Sequence, residues 1–185
     1  MPIKAPIKDF WQHVPDSLWE PIASGFLILT AGLLGFAFHR PWLFSSLGPT
    51  AFQTTEYPEL KSSRIYNVFA GHFIAIGMGF AAVAIMGAWT TPGVSSTHYL
   101  ALTRVWTAVI AIALTLAGAM AVRASHPPAA STTLLVALGS YQTVQAALTL
   151  AIGIVIVGVL GEAIRLLRLR HRALTKQNER AAMAS

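Results

Sequence analysis

The stretch "ASHPPAASTTLLVALGSYQTVQAALTLAIGIVIVGVLG", residues 124–161, runs for 38 positions without an Asp, Glu, Lys or Arg. As one helix it is about 57 Å long, against a bilayer hydrocarbon core about 30 Å thick. One membrane span cannot hold it, and two prolines near its start, Pro127 and Pro128, say where it divides.

Outward from that stretch the chain keeps the same character. Charge-free runs also extend from Ile65 to Thr103 and from Val105 to Val122. Hydrophobic residues make up 55% of the 185 and charged residues 11%, where a soluble domain carries about 25% charged residues. The fold class expected is an all-α membrane protein, with four full transmembrane helices near residues 22–38, 66–90, 99–122 and 143–164. Apolar sequence is left over after the first and third of these, as "PWLFSSLGPTAFQTTEY" (residues 41–57) and "ASHPPAASTTLLVALGSYQ" (residues 124–142).

Each surplus piece holds proline where a helix begins. Proline at the first helical position costs nothing, because that N–H has no partner and the fixed φ pre-forms the turn. Two broken segments are therefore expected, half-helices starting at Pro49 and at Pro127/Pro128. An extended run plus a short helix is long enough to complete a crossing, provided the irregular backbone is buried among the full helices. The positive-inside rule favours such crossings. With both termini cytoplasmic, four crossings leave Arg40, Lys61, Arg64 and Arg123 outside, whereas six leave only Arg40 and Arg104. Six crossings split into two three-span units of opposite orientation, about residues 22–90 and 99–167, an inverted repeat of the kind used by transporters. A shift of 79 positions pairs Ser46 with Ser125, Pro49 with Pro128, Ala51 with Ala130, Gly79 with Gly158 and Ala82 with Gly161.

The flanks read differently. Residues 1–21 suit an interfacial segment, with Phe10, Trp11 and Trp19 at headgroup depth and Lys4 and Lys8 in water. Residues 22–167 form the transmembrane domain, and residues 168–185 a basic cytoplasmic tail. Most of the net charge of +6 lies in "RLLRLRHRALTKQNER", residues 165–180. Attraction to anionic lipid accounts for such a run, and no nucleic-acid partner is expected. Glu162 and Arg165 read as a surface ion pair. Small residues every four positions, Gly71, Ala75, Gly79 and Gly87, then Ala113, Ala117 and Ala121, predict close helix packing.

For chemistry, the chain offers no cysteine, and its six histidines include no i, i+4 pair. No metal site and no cofactor are expected. No acid pair or nucleophile–base set appears, so the chain does not read as an enzyme. The half-helix starts are the candidate binding site. Two N-termini at mid-membrane aim N–H groups and positive dipole ends inward, where a small anion suits them. Ser46, Gly48 and Thr50 stand at one start, and Ser125 and His126 at the other. Asn67 and His72, in "NVFAGHFIAIGMG", add polar groups from the neighbouring helix, and an ionisable residue inside a membrane is a functional candidate by default. The alternative is a pair of buried kinks with locally capped serines and histidines bonded to backbone.

At these residues the chain resembles the HPP family of integral membrane proteins, named for the motif found here as His126–Pro127–Pro128. "SSLGPTA" (residues 45–51), "RIYNVFAGH" (64–72) and "SHPPAASTTLL" (125–135) follow the family's order and spacing, over roughly residues 25–165. Plastid and cyanobacterial members have been linked to nitrite transport. The resemblance thus implies passage of a small monovalent anion, nitrite or else nitrate, formate or bicarbonate, passive or coupled to a proton on His126. The family is usually described with four spans, where the reading above has six crossings. A further departure is "FQTTEYPEL" (residues 52–60), more polar than the family pattern. The expectation is a small-anion transporter of the lipid bilayer, in a bacterial inner membrane, as a homodimer or homotrimer. A membrane sensor or scaffold that recruits a partner through its basic tail is the alternative.

Overall fold

A computed structural model describes residues 14–183. Phe10, Trp11, Lys4 and Lys8 lie outside the described residues. The described chain is helical without strands: α1 (Asp16–Ala37), α2 (Leu47–Glu56), a 3₁₀ turn (Lys61–Ser63), α3 (Ile65–Ile85), α4 (Val94–Thr97), α5 (Leu102–Ala121), α6 (Ala129–Ala137) and α7 (Val144–Met183). α1, α3, α5 and α7 are long and apolar enough to cross a membrane, which matches the four full helices expected. α2 and α6 are the short pieces.

Two boundaries differ from expectation. α1 begins at Asp16, after an extended Pro15, so the first long helix takes in residues 16–21. α7 runs for 40 residues, because nothing after Gly161 interrupts a sequence of strong helix formers such as Ala, Leu, Arg and Glu. The basic tail is its continuation.

The first and third long helices end in the same way. Phe38, His39 and Arg40 donate back to Leu34, Phe36 and Gly35, with His39 at φ 52°. Val122, Arg123 and Ala124 donate to Gly118, Met120 and Ala119, with Arg123 at φ 54°. This left-handed cap closes the last carbonyls and turns the chain sharply back. An extended run follows each cap, then a half-helix. The first run crosses α7 at Gly153, where an added Cβ would lie 2.5 Å from both the Phe44 ring and the Trp42 carbonyl. Phe44 then sits in the core with Leu47, Val83, Val136, Leu150 and Ile154.

The two halves interlock. α3 packs along α5 and α6, and α7 along α1 and α2, while α3 and α7 also meet. Each half's third helix thus embraces the other half's first two. At one end of the bundle, Arg165 Nη1 donates to Pro58 O at 2.9 Å, Arg168 binds the Asp16 carboxylate, and Tyr66 reaches Val122 O at 3.1 Å. At the opposite end, Val94 N donates to Leu138 O at 3.0 Å and Ser95 pairs with Ser140 at 2.8 Å. The chain therefore runs from end to end six times, and the half-helices complete passages instead of returning to the side they left.

Three details correct the sequence reading. A single shift of 79 relates only the third helices, Ile65 matching Val144. The half-helix starts Leu47 and Ala129 are 82 apart and the caps His39 and Arg123 are 84 apart, because the connections differ in length. Ser46 therefore corresponds to Pro128, not Ser125. On α5 the packing face is Thr107, Ala111, Thr115 and Ala119, whereas Ala113, Ala117 and Ala121 point outward. Arg165, 7% exposed, and the half-buried Glu162 form a partly buried pair in place of a surface one, and Glu162 Oε2 also accepts Ile65 N at 3.2 Å.

Single cysteines test the six passages cleanly, because the chain has none of its own. Arg40→Cys and Lys61→Cys are expected to react with an impermeant thiol reagent from opposite faces of the membrane. Labelling from the same face would mean that residues 41–57 re-enter, and that the fold has four crossings.

Candidate functional site

α2 and α6 meet at their starts and run from there toward opposite ends of the bundle. Ser46, the N-cap of α2, faces Thr132 in the first turn of α6, and Thr132 Oγ1 donates to Ser46 Oγ at 2.7 Å. Thr50, one turn into α2, faces His126, with Thr50 Oγ1 to Nε2 at 3.4 Å. Between them stands His72 of α3, fully buried. Its Nε2 lies 2.9 Å from Thr50 Oγ1 and its Nδ1 lies 2.8 Å from Thr132 Oγ1. Thr50 and Thr132 are themselves 82 positions apart, so the two halves offer equivalent threonines to one imidazole. The His72 and His126 ring centroids are 5.1 Å apart. α3 comes this close because residue 71 is glycine: a Cβ there would lie 2.8 Å from the His126 Cβ.

The partners assign the hydrogens. His126 Nδ1 lies 2.7 Å from Ser62 O, and a carbonyl only accepts, so Nδ1 carries the hydrogen and a neutral ring leaves Nε2 as acceptor. Thr132 gives its own hydrogen to Ser46, so it accepts from His72 Nδ1–H, which leaves His72 Nε2 as acceptor too. The single hydrogen of the Thr50 hydroxyl then faces three acceptors, His72 Nε2 at 2.9 Å, the Ser46 carbonyl at 3.1 Å and His126 Nε2 at 3.4 Å. A proton added at His126 Nε2 finds Thr50 Oγ1 ready to accept it. The cluster has room for one more proton and no strong base or nucleophile beside it.

The half-helix starts depart from a converging pair of bare N–H groups. In α6 the N–H groups of Ala129, Ala130 and Ser131 donate to the carbonyls of His126, Pro127 and Pro128. In α2 Leu47 N donates to Phe44 O. α2 begins at Leu47, with Pro49 third in the helix, and α6 begins directly after Pro127–Pro128.

Of the candidate residues, Ser46, Thr50, His72 and His126 are brought together. Asn67 is not among them. It is buried one and a half turns away and holds the Lys61 carbonyl. Gly48 and Pro49 line a cleft of about 1080 Å³ outside the cluster, which Pro127 and Pro128 line from the other side. Ser125 is exposed in a separate cleft of about 280 Å³ beside α5, where Gly71, Thr115 and His126 also stand. Thr132 escaped the sequence reading, although it recurs 82 positions after Thr50, because the shift that aligns the long helices hides it. Arg104 also escaped. It is fully buried and donates to the carbonyls of Thr91, Pro92 and Ala137, closing the C-terminal end of α6. Among the described residues no group of His, Asp and Glu stands together as metal ligands would.

A model of the HPP transmembrane region matches residues 11–173. No curated protein and no solved structure matches the chain.

Thr132→Val keeps the shape of the side chain and removes the hydroxyl that His72 and Ser46 share. It is expected to cost about 1–3 kcal/mol, the penalty of stranding buried polar groups, and to lower the melting temperature in detergent. Thr30→Val, which removes only an exposed bond to Phe26 O, is expected to leave melting unchanged. Equal melting of the two variants would mean that the cluster does not hold the half-helices together.

Proposed function

This chain belongs to the HPP transmembrane family, and we propose that it carries a small inorganic anion across the membrane, with nitrite the first substrate to test. The observation that carries this reading is the buried Ser46–Thr132–His72–Thr50–His126 cluster where two half-helices meet inside the bundle. A fold whose only task is to span lipid has no use for broken helices and buried imidazoles, since unbroken apolar helices satisfy the backbone more simply. Interlocked inverted halves with half-helices at their junction also suit alternating exposure of a site to the two sides. In this reading Ser46, Thr50 and the two imidazoles tune the junction, Gly48 and Ser125 line the clefts on its two flanks, and His126 takes the proton when transport is proton-coupled. Both termini lie on the cytoplasmic side.

A homo-oligomer belongs to the same reading. The large cleft is open along the flank between α1 and α6, and Gln53 and the Pro127–Pro128 segment line it. Polar side chains and irregular backbone there need protein cover. The sensor or scaffold reading draws on the exposed helical extension of α7, and a flux measurement separates the two.

Purified chain in liposomes is expected to admit nitrite faster than protein-free vesicles do, and no excess uptake would leave the sensor reading. Glu56→Gln removes a carboxylate from the mouth of the cleft. It is expected to raise nitrite flux at low salt and to matter less as salt is added, because screening already weakens the repulsion. A fall in flux on removing that carboxylate would point to a cationic cargo and against an anion.

A further inference from the structure

The two half-helices have two faces, and the buried cluster uses only the inner one. On that face every hydroxyl is engaged: Thr50, Thr54, Thr55, Thr132 and Thr133 all make hydrogen bonds within the chain. The outer faces line cavities. The cleft of about 1080 Å³ starts at the end of the bundle that holds Tyr57 and Leu60 and reaches inward past Gln53 and Gly48 to Ser131 of α6. A second cavity, about 290 Å³, starts at the opposite end with Ser95 and Ser140 and reaches inward past Ser45 to the same Ser131. Ser131 is half-buried and is shared by both. It is the residue before Thr132, so it stands at the depth of the half-helix junction, with its side chain turned away from the cluster.

The hydroxyls on this side differ from the inner ones. Among the described residues, those of Ser24, Ser45 and Ser131 make no hydrogen bond within the chain. A serine in a helix can bond the carbonyl one turn back, and Ser131 does not. Its hydroxyl is left to face the cavities as donor or acceptor.

We propose that the two cavities are the two vestibules of one substrate path, which skirts the outer faces of α2 and α6, and that Ser131 marks the narrow point where they meet. The inner cluster then holds the half-helices in register, and the cargo passes Gly48, Pro49 and Ser131 without entering it. Prolines suit the narrow part, since Pro49 and Pro127 present ring carbons and no N–H to be satisfied. The free hydroxyls of Ser24, Ser45 and Ser131 stand along the inner part of this path and can replace water around a small oxyanion. The inference takes its cargo from the transport reading, but the existence of the passage does not depend on it.

Single cysteines in this cysteine-free chain separate the two questions. In proteoliposomes, a charged methanethiosulfonate reagent is expected to reach Tyr57→Cys from one side and Ser95→Cys from the other. Ser131→Cys is expected to react from both sides, and its modification is expected to abolish nitrite flux. Gly48→Cys gives a second reading at the same depth, because an added Cβ there meets nothing within 4 Å. Ala113→Cys, at mid-span on the outward face of α5, is the control expected to stay unreacted from either side and to keep its flux. Reaction of Ser131→Cys from neither side, or from one side alone, overturns the path, as does modification that leaves flux unchanged. Absence of nitrite flux in the unmodified protein, with labelling from both sides, would refute the cargo and keep the passage.

Discussion

An imidazole buried in the middle of a membrane helix has two nitrogens to satisfy and no water to satisfy them. In this protein His72 meets that demand with one threonine from each half of the chain, Thr50 and Thr132. The rest of the architecture follows from bringing those two hydroxyls together. Each sits one turn into a short helix, so both short helices must begin inside the bundle. Each short helix must then be approached by extended backbone, which is tolerable only because the opposite half's long helix covers it.

The interlocking of the halves is the answer to that covering problem. α7 accepts the extended run before α2 at Gly153, and α3 accepts the start of α6 at Gly71. Neither half could bury its own broken segment with its own third helix, because that helix packs along the other half. The two units are therefore mutually dependent in folding, and a substitution that enlarges either glycine acts on both. Close approach of backbones through small residues is also how helices gain packing energy in lipid, where hydrophobic association is absent.

The far ends of the half-helices carry the cost of burying charge. Arg104 closes the α6 end with three backbone carbonyls, and Arg165 closes the α2 end through Pro58 O and Glu162. A guanidinium is suited to this, since its five N–H donors fan out in a fixed plane and several acceptors share one charge. Cations near helix C-termini also offset the negative end of the helix dipole. The half-helices are thus pinned twice, by hydroxyls and imidazoles at their starts and by arginines at their ends. Their outer faces remain free to line cavities.

By itself the sequence determined that the chain spans a membrane, that four helices do so in full, and that two proline-led segments do so brokenly. Those features rest on composition and local backbone chemistry, which any window of the chain carries within itself. The tertiary structure decided which polar residues meet. Thr132 and Thr50 lie 82 positions apart and the long helices 79, a mismatch that no single alignment of the halves resolves. It also separated Asn67 and Ser125 from the cluster, turned Ala113, Ala117 and Ala121 outward, and drew Glu162 and Arg165 into a partly buried pair. The reason is geometric. A half-helix rotated by one residue turns about 100°, so loop lengths and glycine contacts, and not residue type, choose the face that each hydroxyl presents.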